Sequence, residues 1–348
     1  MASRGGASHP LVELTLARFR EFLREPEAVF WVFAFPVIMT CALGIAFRSR
    51  GDEPTIVGVA AGDGAAAVID TLERAGGFTV RSIPPEGVER AIRDGEAPVV
   101  VVPGHPPTYR FDEARAESQV ARLAVDAALQ RAAGRVDAFT AATVPIETVG
   151  SRYIDWLVPG LLGMNIMSTG LWGVGFAIVQ ARTRRLLKRL VATPMSRAHY
   201  LASHVLNRLV FLVLEAVVII GFAWLAFDVP VRGSVALLGG LALAGALAFG
   251  GLGLLLASRA RTIEAVSGLM NLVMLPMWVL SGVFFASSNF PEAMQPFIQA
   301  LPLTALNDAL RGVMIEGLTA QALAGELAIL GAWGAVSFAL ALRLFRWQ

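Results

Sequence analysis

Four histidines, one cysteine and one lysine make up all the imidazoles, thiols and side-chain amines of this 348-residue chain. Their spacing excludes the commonest chemistries. His9, His105, His199 and His204 form no HExxH pair, and His199 and His204, five residues apart, do not share a helical face. No metal site is expected from them. Cys41 stands alone, so it makes neither an intrachain disulfide nor a cysteine metal cluster. Lys188 follows Leu186 and Leu187 rather than a glycine-rich turn, so no GxxxxGK[ST] phosphate loop exists anywhere in the chain. There is no G-x-S-x-G nucleophile elbow and no carboxylate pair in a plausible cleft. An enzyme is therefore the class these residues support least, and no cofactor is expected on this chain. Any energy it uses comes from a partner chain or an ion gradient.

Three other sets of residues stand out. Segment 180–208 carries seven Lys/Arg and no Asp or Glu. Such a cluster is compatible with nucleic acid, but between two apolar helices it marks a cytoplasmic loop more simply, and no nucleic-acid partner is expected. Glu215 falls inside an apolar block, where a carboxylate costs roughly 2–3 kcal/mol on insertion scales. It reads either as a proton or substrate site, or as a buried polar contact with Arg208 or another loop arginine. Ala242, Ala246 and Gly250 recur every fourth residue, a stripe of small side chains along which another helix can approach, inside the chain or across a subunit interface.

The elements that must position these residues are greasy. Fifty-five per cent of the chain is hydrophobic and 16% charged, with a mean hydropathy of +0.62. Apolar blocks long enough to cross a bilayer are expected at 28–47, 154–179, 209–227, 235–257, 265–285 and 322–342. In hydrocarbon a block must satisfy its own backbone hydrogen bonds, so each reads as a helix. The fold class is membrane α-helical with six transmembrane helices. Before the first, residues 1–27 read as an amphipathic helix: Val12, Leu16, Phe19 and Leu23 share a face, which suits the headgroup region or a soluble cap packed on the rest. Between helices one and two, residues 48–152 carry 12 Arg and 15 Asp/Glu and form a polar domain. Strands at Thr55–Ala60, Phe78–Ile83, 98–102 and 109–111 alternate with helices at 65–74, 86–94 and 114–135, which predicts an α/β sandwich. Residues 286–320 are broken by Pro291, Pro296 and Pro302, so a straight span is not expected there.

Orientation follows from charge. An inside N-terminus and an even number of spans place the 180–208 loop, the Arg259/Arg261 loop and the Arg343/Arg346 tail in the cytoplasm. The 48–152 domain then lies outside. Trp31 and Trp347 fall at inner ends, and Tyr153, Trp156 and Trp224 at outer ends, as interfacial aromatic belts require. The first apolar block is expected to be an uncleaved anchor, because a long charged flank precedes it and no A-x-A site ends it.

Two local stretches carry a resemblance. The first is Arg184-Arg185-Leu186-Leu187-Lys188-Arg189-Leu190-Val191-Ala192-Thr193-Pro194-Met195-Ser196-Arg197, after helix two. The second is Leu280-Ser281-Gly282-Val283-Phe284-Phe285, followed by Pro291, Pro302-Leu303-Thr304 and Asp308-Ala309-Leu310-Arg311. Together with the layout they resemble the ABC-2 type permease subunits of bacterial ATP-binding cassette exporters. The acidic and glycine residues common in that family before the Leu-Lys-Arg-Leu part are replaced here by Thr183, Arg184 and Arg185.

The resemblance implies a half-transporter in the plasma (inner) membrane that moves an amphiphilic, drug-like or lipid-like molecule outward. It implies a second permease chain, identical or closely related, and two separate ATPase subunits that carry the ATP and Mg2+. Arg184, Arg185, Leu187, Lys188, Arg189, Leu190, Thr193, Pro194 and Arg197 would belong to a coupling helix seated in a cleft of the ATPase. Residues 286–316 would form a re-entrant hairpin near the exit. The residues fit such a dock: Leu186, Leu187 and Leu190 offer an apolar face, and the basic side chains can pair with carboxylates. Simple retention of positive charge inside explains the same arginines without a partner. Two rival functions remain: a proton-coupled secondary transporter using Glu215, against which there is no obvious inverted repeat, and a membrane-anchored receptor, which needs fewer spans.

Overall fold

The computed structural model describes residues 16, 19–20, 22–47, 54–139, 141–142, 144, 150, 152–183, 197–260 and 262–344. They fall into two compact units, Arg50–Ile146 and the remainder of the chain.

The smaller unit is an α/β layer structure. Its strands are β1 (Thr55–Ala60), β2 (Phe78–Ile83), β3 (Val99–Val102) and β4 (Thr108–Phe111), in spatial order β2-β1-β3-β4. β1 runs parallel to β2 and β3, with Val57 opposite Val80 and Gly58 opposite Val100; β4 returns antiparallel, with Tyr109 opposite Val101. Parallel neighbours need crossovers, and helices supply them. These are α3 (Ala65–Ala75) after β1 and α4 (Val88–Arg93) after β2, followed by α5 (Ala116–Ala132) after β4. Alternate side chains on β1 and β3 serve opposite faces. Val57, Val59, Val99 and Val101 bury against Leu72 of α3 and Val125 of α5. Ala60 and Val100 bury against Val88 and Ala91 of α4. The strands and helices thus lie within about three residues of the sequence reading.

The larger unit is helical. Among the described residues it contains five helices long and apolar enough to cross a membrane and a shorter apolar one, Phe30–Ala46. The chain enters through α1 (Pro26–Val29), a π turn at Phe30–Ala34 and α2 (Phe35–Ala46). After the α/β unit come α6 (Tyr153–Thr183), α7 (Arg197–Phe227), α8 (Val235–Arg259) and α9 (Ile263–Leu280). The short helices α10 (Gln295–Gln299) and α11 (Pro302–Arg311) follow, then a π turn at Gly312–Glu316 and α12 (Ala324–Leu344).

Some helix boundaries differ from expectation, each for a local reason. The fifth apolar helix stops at Leu280 rather than near 285, because Gly282 turns left-handed (φ 70°) and ends it. Helices reach into segment 180–208 from both sides, to Thr183 and from Arg197, since nothing in its flanks breaks a helix. Within the proline-broken stretch Pro291 and Pro296 are exposed, whereas α11, which begins at Pro302, is buried along nearly its whole length.

The core is centred on α6, whose Leu157, Leu161, Leu162, Ile166, Met167 and Leu171 are fully enclosed. α8 packs against α6 on one side and α12 on another, and α11 fills the space between α6 and α12. Little of the expected 1–27 helix is described. Within it Phe19 stacks on Phe211 of α7 at 5.3 Å and Phe22 tilts against the same ring at 4.2 Å, while Leu16 and Leu23 are exposed.

Candidate functional site

Most of the basic stretch, Arg184, Arg185, Leu187, Lys188, Arg189, Leu190, Thr193 and Pro194, lies outside the described residues. Its flanks are described: α6 ends at Thr183 and Arg197 begins α7. A force applied to this segment therefore acts on two long neighbouring helices at once.

Those two helices are tied together a few turns from the segment. Glu215 of α7 is 1% exposed, and an enclosed carboxylate needs partners. Arg208, two turns earlier, places Nη1 at 3.3 Å from Glu215 Oε1, and its Nη2 donates to Thr169 Oγ1 of α6 at 2.5 Å. The Thr169 hydroxyl lies 2.7 Å from the Asn165 carbonyl and 3.3 Å from Glu215 Oε2, and with one proton it donates to one of them at a time. Asn165 extends the contact by donating from Nδ2 to the Val32 carbonyl in the first π turn, at 3.0 Å. The pairing of Glu215 with Arg208 was legible from the sequence. Thr169 and Asn165 were not, because nothing local marks a threonine on α6 as the neighbour of a residue 46 positions away.

A second polar cluster gathers the tail residues. Thr304, Asn307, Asp308 and Arg311 recur at i, i+3, i+4 and i+7, so they share one face of α11. Thr304, Asn307 and Arg311 are buried, while Asp308 at the edge of the face is exposed. The Arg311 guanidinium sits over the Trp156 ring at 3.5 Å from its centre. Its Nε donates to the Trp156 carbonyl at 3.3 Å, its Nη1 to Asp308 Oδ1 at 3.4 Å and its Nη2 to the Gly282 carbonyl. Asn307 Nδ2 donates to the Ser281 carbonyl at 2.8 Å. Gly160 faces the Val283 backbone, where a Cβ would come within 2.8 Å of the carbonyl, and Gly163 leaves room for the Asn307 amide. The Ser281-Gly282, Pro302-Leu303-Thr304 and Asp308–Arg311 segments thus converge on the first turns of α6. Sequence reasoning missed Trp156, Gly160 and Gly163 as their counterpart. The i+7 polar stripe in α11 is the signal that would have pointed to a buried receiving face.

The small-residue stripe is only partly the contact surface. Ala242 is buried, while Ala246 and Gly250 are half-buried, and a Cβ on Gly250 would meet Val174 at an ordinary 3.5 Å. The tighter approaches are made at Gly170, Gly175 and Gly253. A Cβ on Gly253 would fall 2.7 Å from the Leu171 carbonyl, and one on Gly170 would fall 2.8 Å from Phe249 Cβ. These glycines let α6 and α8 cross backbone to backbone.

In the smaller unit, Tyr109 donates to Asp126 Oδ1 at 3.0 Å; burial, then this bond, pushes its phenol up to about 12. Among the described residues no group of three His, Cys, Asp or Glu is placed to hold a metal.

Comparison with known proteins follows the same lines. The family model described as ABC-2 family transporter protein matches residues 27–343. ABC transporter G family member 20 of Dictyostelium discoideum is 26% identical over 184 residues, 50% of this chain and 25% of that protein. Linearmycin resistance permease protein LnrN of Bacillus subtilis is 26% identical over 187 residues, covering 53% of this chain and 48% of the relative. Inner membrane transport permease YhhJ of Escherichia coli is 22% identical over 183 residues, covering 52% and 49%. The matched region spans about half the length of the two permeases and about a quarter of the first protein.

Proposed function

Because the chain belongs to the ABC-2 family of transporter proteins, as a multi-pass permease without a nucleotide-binding domain of its own, we propose that it is the membrane half of an exporter driven by separate ATPase subunits. Two such subunits, carrying ATP and Mg2+, dock on the cytoplasmic side of two permease chains. Arg184 to Arg197 form the coupling segment, both termini are cytoplasmic, the α/β unit is extracytoplasmic, residues 286–316 form the re-entrant exit hairpin, and the membrane is the bacterial inner membrane.

The observation that carries this reading is the family match along 27–343, which includes the Arg-Leu-Leu-Lys-Arg-Leu-Val-Ala-Thr-Pro stretch. The mechanism is alternating access. ATP closes the ATPases, and the coupling segments pass the movement to α6 and α7. The Arg208–Glu215–Thr169 contact makes that pair move together. The two states must differ in their contacts with the nucleotide-bound partner, since a ligand shifts a conformational equilibrium only by its differential affinity. The cargo is amphiphilic, drug-like or lipid-like. The surface of the bundle is apolar, and one relative is named for resistance to linearmycin. The buried pairing of Glu215 with Arg208 and Thr169 supports this reading over a proton-coupled one.

The test is co-purification with an ATP-binding cassette ATPase encoded beside this chain. The unsubstituted chain retains the ATPase through detergent extraction. Replacing Arg185, Lys188 and Arg189 together by Glu abolishes retention and transport. Unchanged binding and transport in that variant would overturn the coupling role.

A further inference from the structure

The most exposed large apolar side chains described in the α/β unit are gathered in one place. Val136 is 90% exposed, Phe139 80% and Val144 79%, and all three follow α5 in the connection that leads to α6. The other exposed large apolar side chains described in that unit, Val120 and Leu123, both lie on α5 itself. Three such groups in so short a stretch leave apolar area in contact with water, and a concentration of this kind marks a surface that something else covers.

Backbone, chain length and charge together say what covers it. Val136, Phe139 and Val144 belong to no helix or strand, so their peptide groups need polar partners and cannot enter hydrocarbon. They can lie in a headgroup layer, where water and lipid oxygens serve the backbone and only side chains reach acyl carbon. α6 is one of the helices long and apolar enough to cross a membrane, and it begins at Tyr153, nine positions after Val144. Nine residues reach about 30 Å at most when fully extended, which keeps Val144 near that end of the span. Tyr153 and Trp156, in the first turn of α6, are the residue types enriched at membrane–water boundaries. Residues 131–144 carry two arginines and one aspartate, a net charge of +1. Asp137 is paired with Arg135 at 3.2 Å and Arg131 at 4.0 Å, so the acid is neutralised and the remaining charge has the sign that an anionic lipid surface attracts.

We propose that this connection is a lipid-binding strip: Val136, Phe139 and Val144 dip into the boundary between headgroups and acyl chains, while their backbone stays at the wet level. The occupant of the apolar patch is the bilayer surface itself, bearing anionic phospholipid. The strip thereby holds the chain against the membrane before α6 enters it. The inference rests on α6 crossing the membrane and needs neither the ATPase nor a cargo.

Spin labels on the full chain in vesicles of phosphatidylcholine and phosphatidylglycerol test it. Cys41→Ala removes the one native thiol, and Val136→Cys, Phe139→Cys and Val144→Cys then each carry a nitroxide. Val213→Cys, exposed on α7, is the lipid reference, and Asp63→Cys, exposed in the turn after β1, is the water reference. Oxygen concentrates in lipid, and a water-soluble nickel chelate stays outside it. The three strip labels are relaxed by oxygen more strongly than the Asp63 label and by nickel less strongly. Their nickel access still exceeds that at Val213, because the strip is shallow. Nickel access equal to that at Asp63 would place the segment in water and overturn the proposal. Low access to both reagents would place it under protein, a soluble partner or a second copy, and would overturn it too. The Val213 label reports insertion of the bundle by itself, so failure of the strip is distinct from failure of the membrane or ATPase reading.

Discussion

Arg208 reaches two turns along α7 to meet Glu215, and the same guanidinium crosses to Thr169 on α6. This division of one side chain between two helices decides what a substitution does. Arg208→Leu leaves an enclosed carboxylate without its counter-charge, and removing one partner of a buried pair costs about 3–5 kcal/mol. The Arg208→Leu/Glu215→Leu double variant replaces the pair by apolar side chains and recovers most of that loss. Thermal unfolding of the three purified proteins in one detergent checks this; equal midpoints for the single and double variants would show that the pairing does not matter to the fold. The sequence made half of this legible. A carboxylate in an apolar helix demands a partner, and an arginine seven residues away on the same helix is an obvious one. The Thr169 and Asn165 contacts are tertiary, and they depend on the rotation of α6, which an apolar pattern does not specify.

Helices in this bundle approach each other where side chains are missing. Glycines 170 and 175 of α6 and 253 of α8 sit against partner backbone or Cβ atoms at distances a side chain cannot occupy. Gly250, which belongs to the stripe that stands out in the sequence, has room for a methyl group. Gly253→Ala is therefore expected to destabilise the protein by about 1–3 kcal/mol through overpacking, whereas Gly250→Ala is close to neutral. The yield of monodisperse protein and its melting temperature measure the difference, and the reverse order would contradict the packing described. A four-residue repeat of small residues identifies a helix that can pack closely, but not which of its faces does. α8 is apolar nearly all round, so its rotation is fixed only by its neighbours. Strands were easier to place than helix faces, because glycines and prolines bound them, and alternating valines on β1 and β3 meet helices on both sides. The end of α9 depended on one left-handed glycine, Gly282, inside a hydrophobic run that otherwise reads as continuous helix.

At the scale of the molecule, the chain is an apolar bundle with a folded α/β insertion and no means of binding nucleotide through a phosphate loop. Two kinds of knowledge divide here. Apolar length and the polar insertion announce a multi-pass membrane protein directly. The identity of the driving partner does not follow from hydropathy at all; it enters through the short basic stretch and the family match along 27–343. The account therefore turns on which side of the membrane that stretch faces, since an ATPase in the cytosol can push only on what it can touch. Lys188 is the only lysine in the chain, so a membrane-impermeant amine reagent reports its side without any substitution. Peptide mapping separates it from the N-terminal amine. The account predicts that Lys188 is unmodified in intact cells and modified in inside-out vesicles; modification of Lys188 in intact, sealed cells would contradict it.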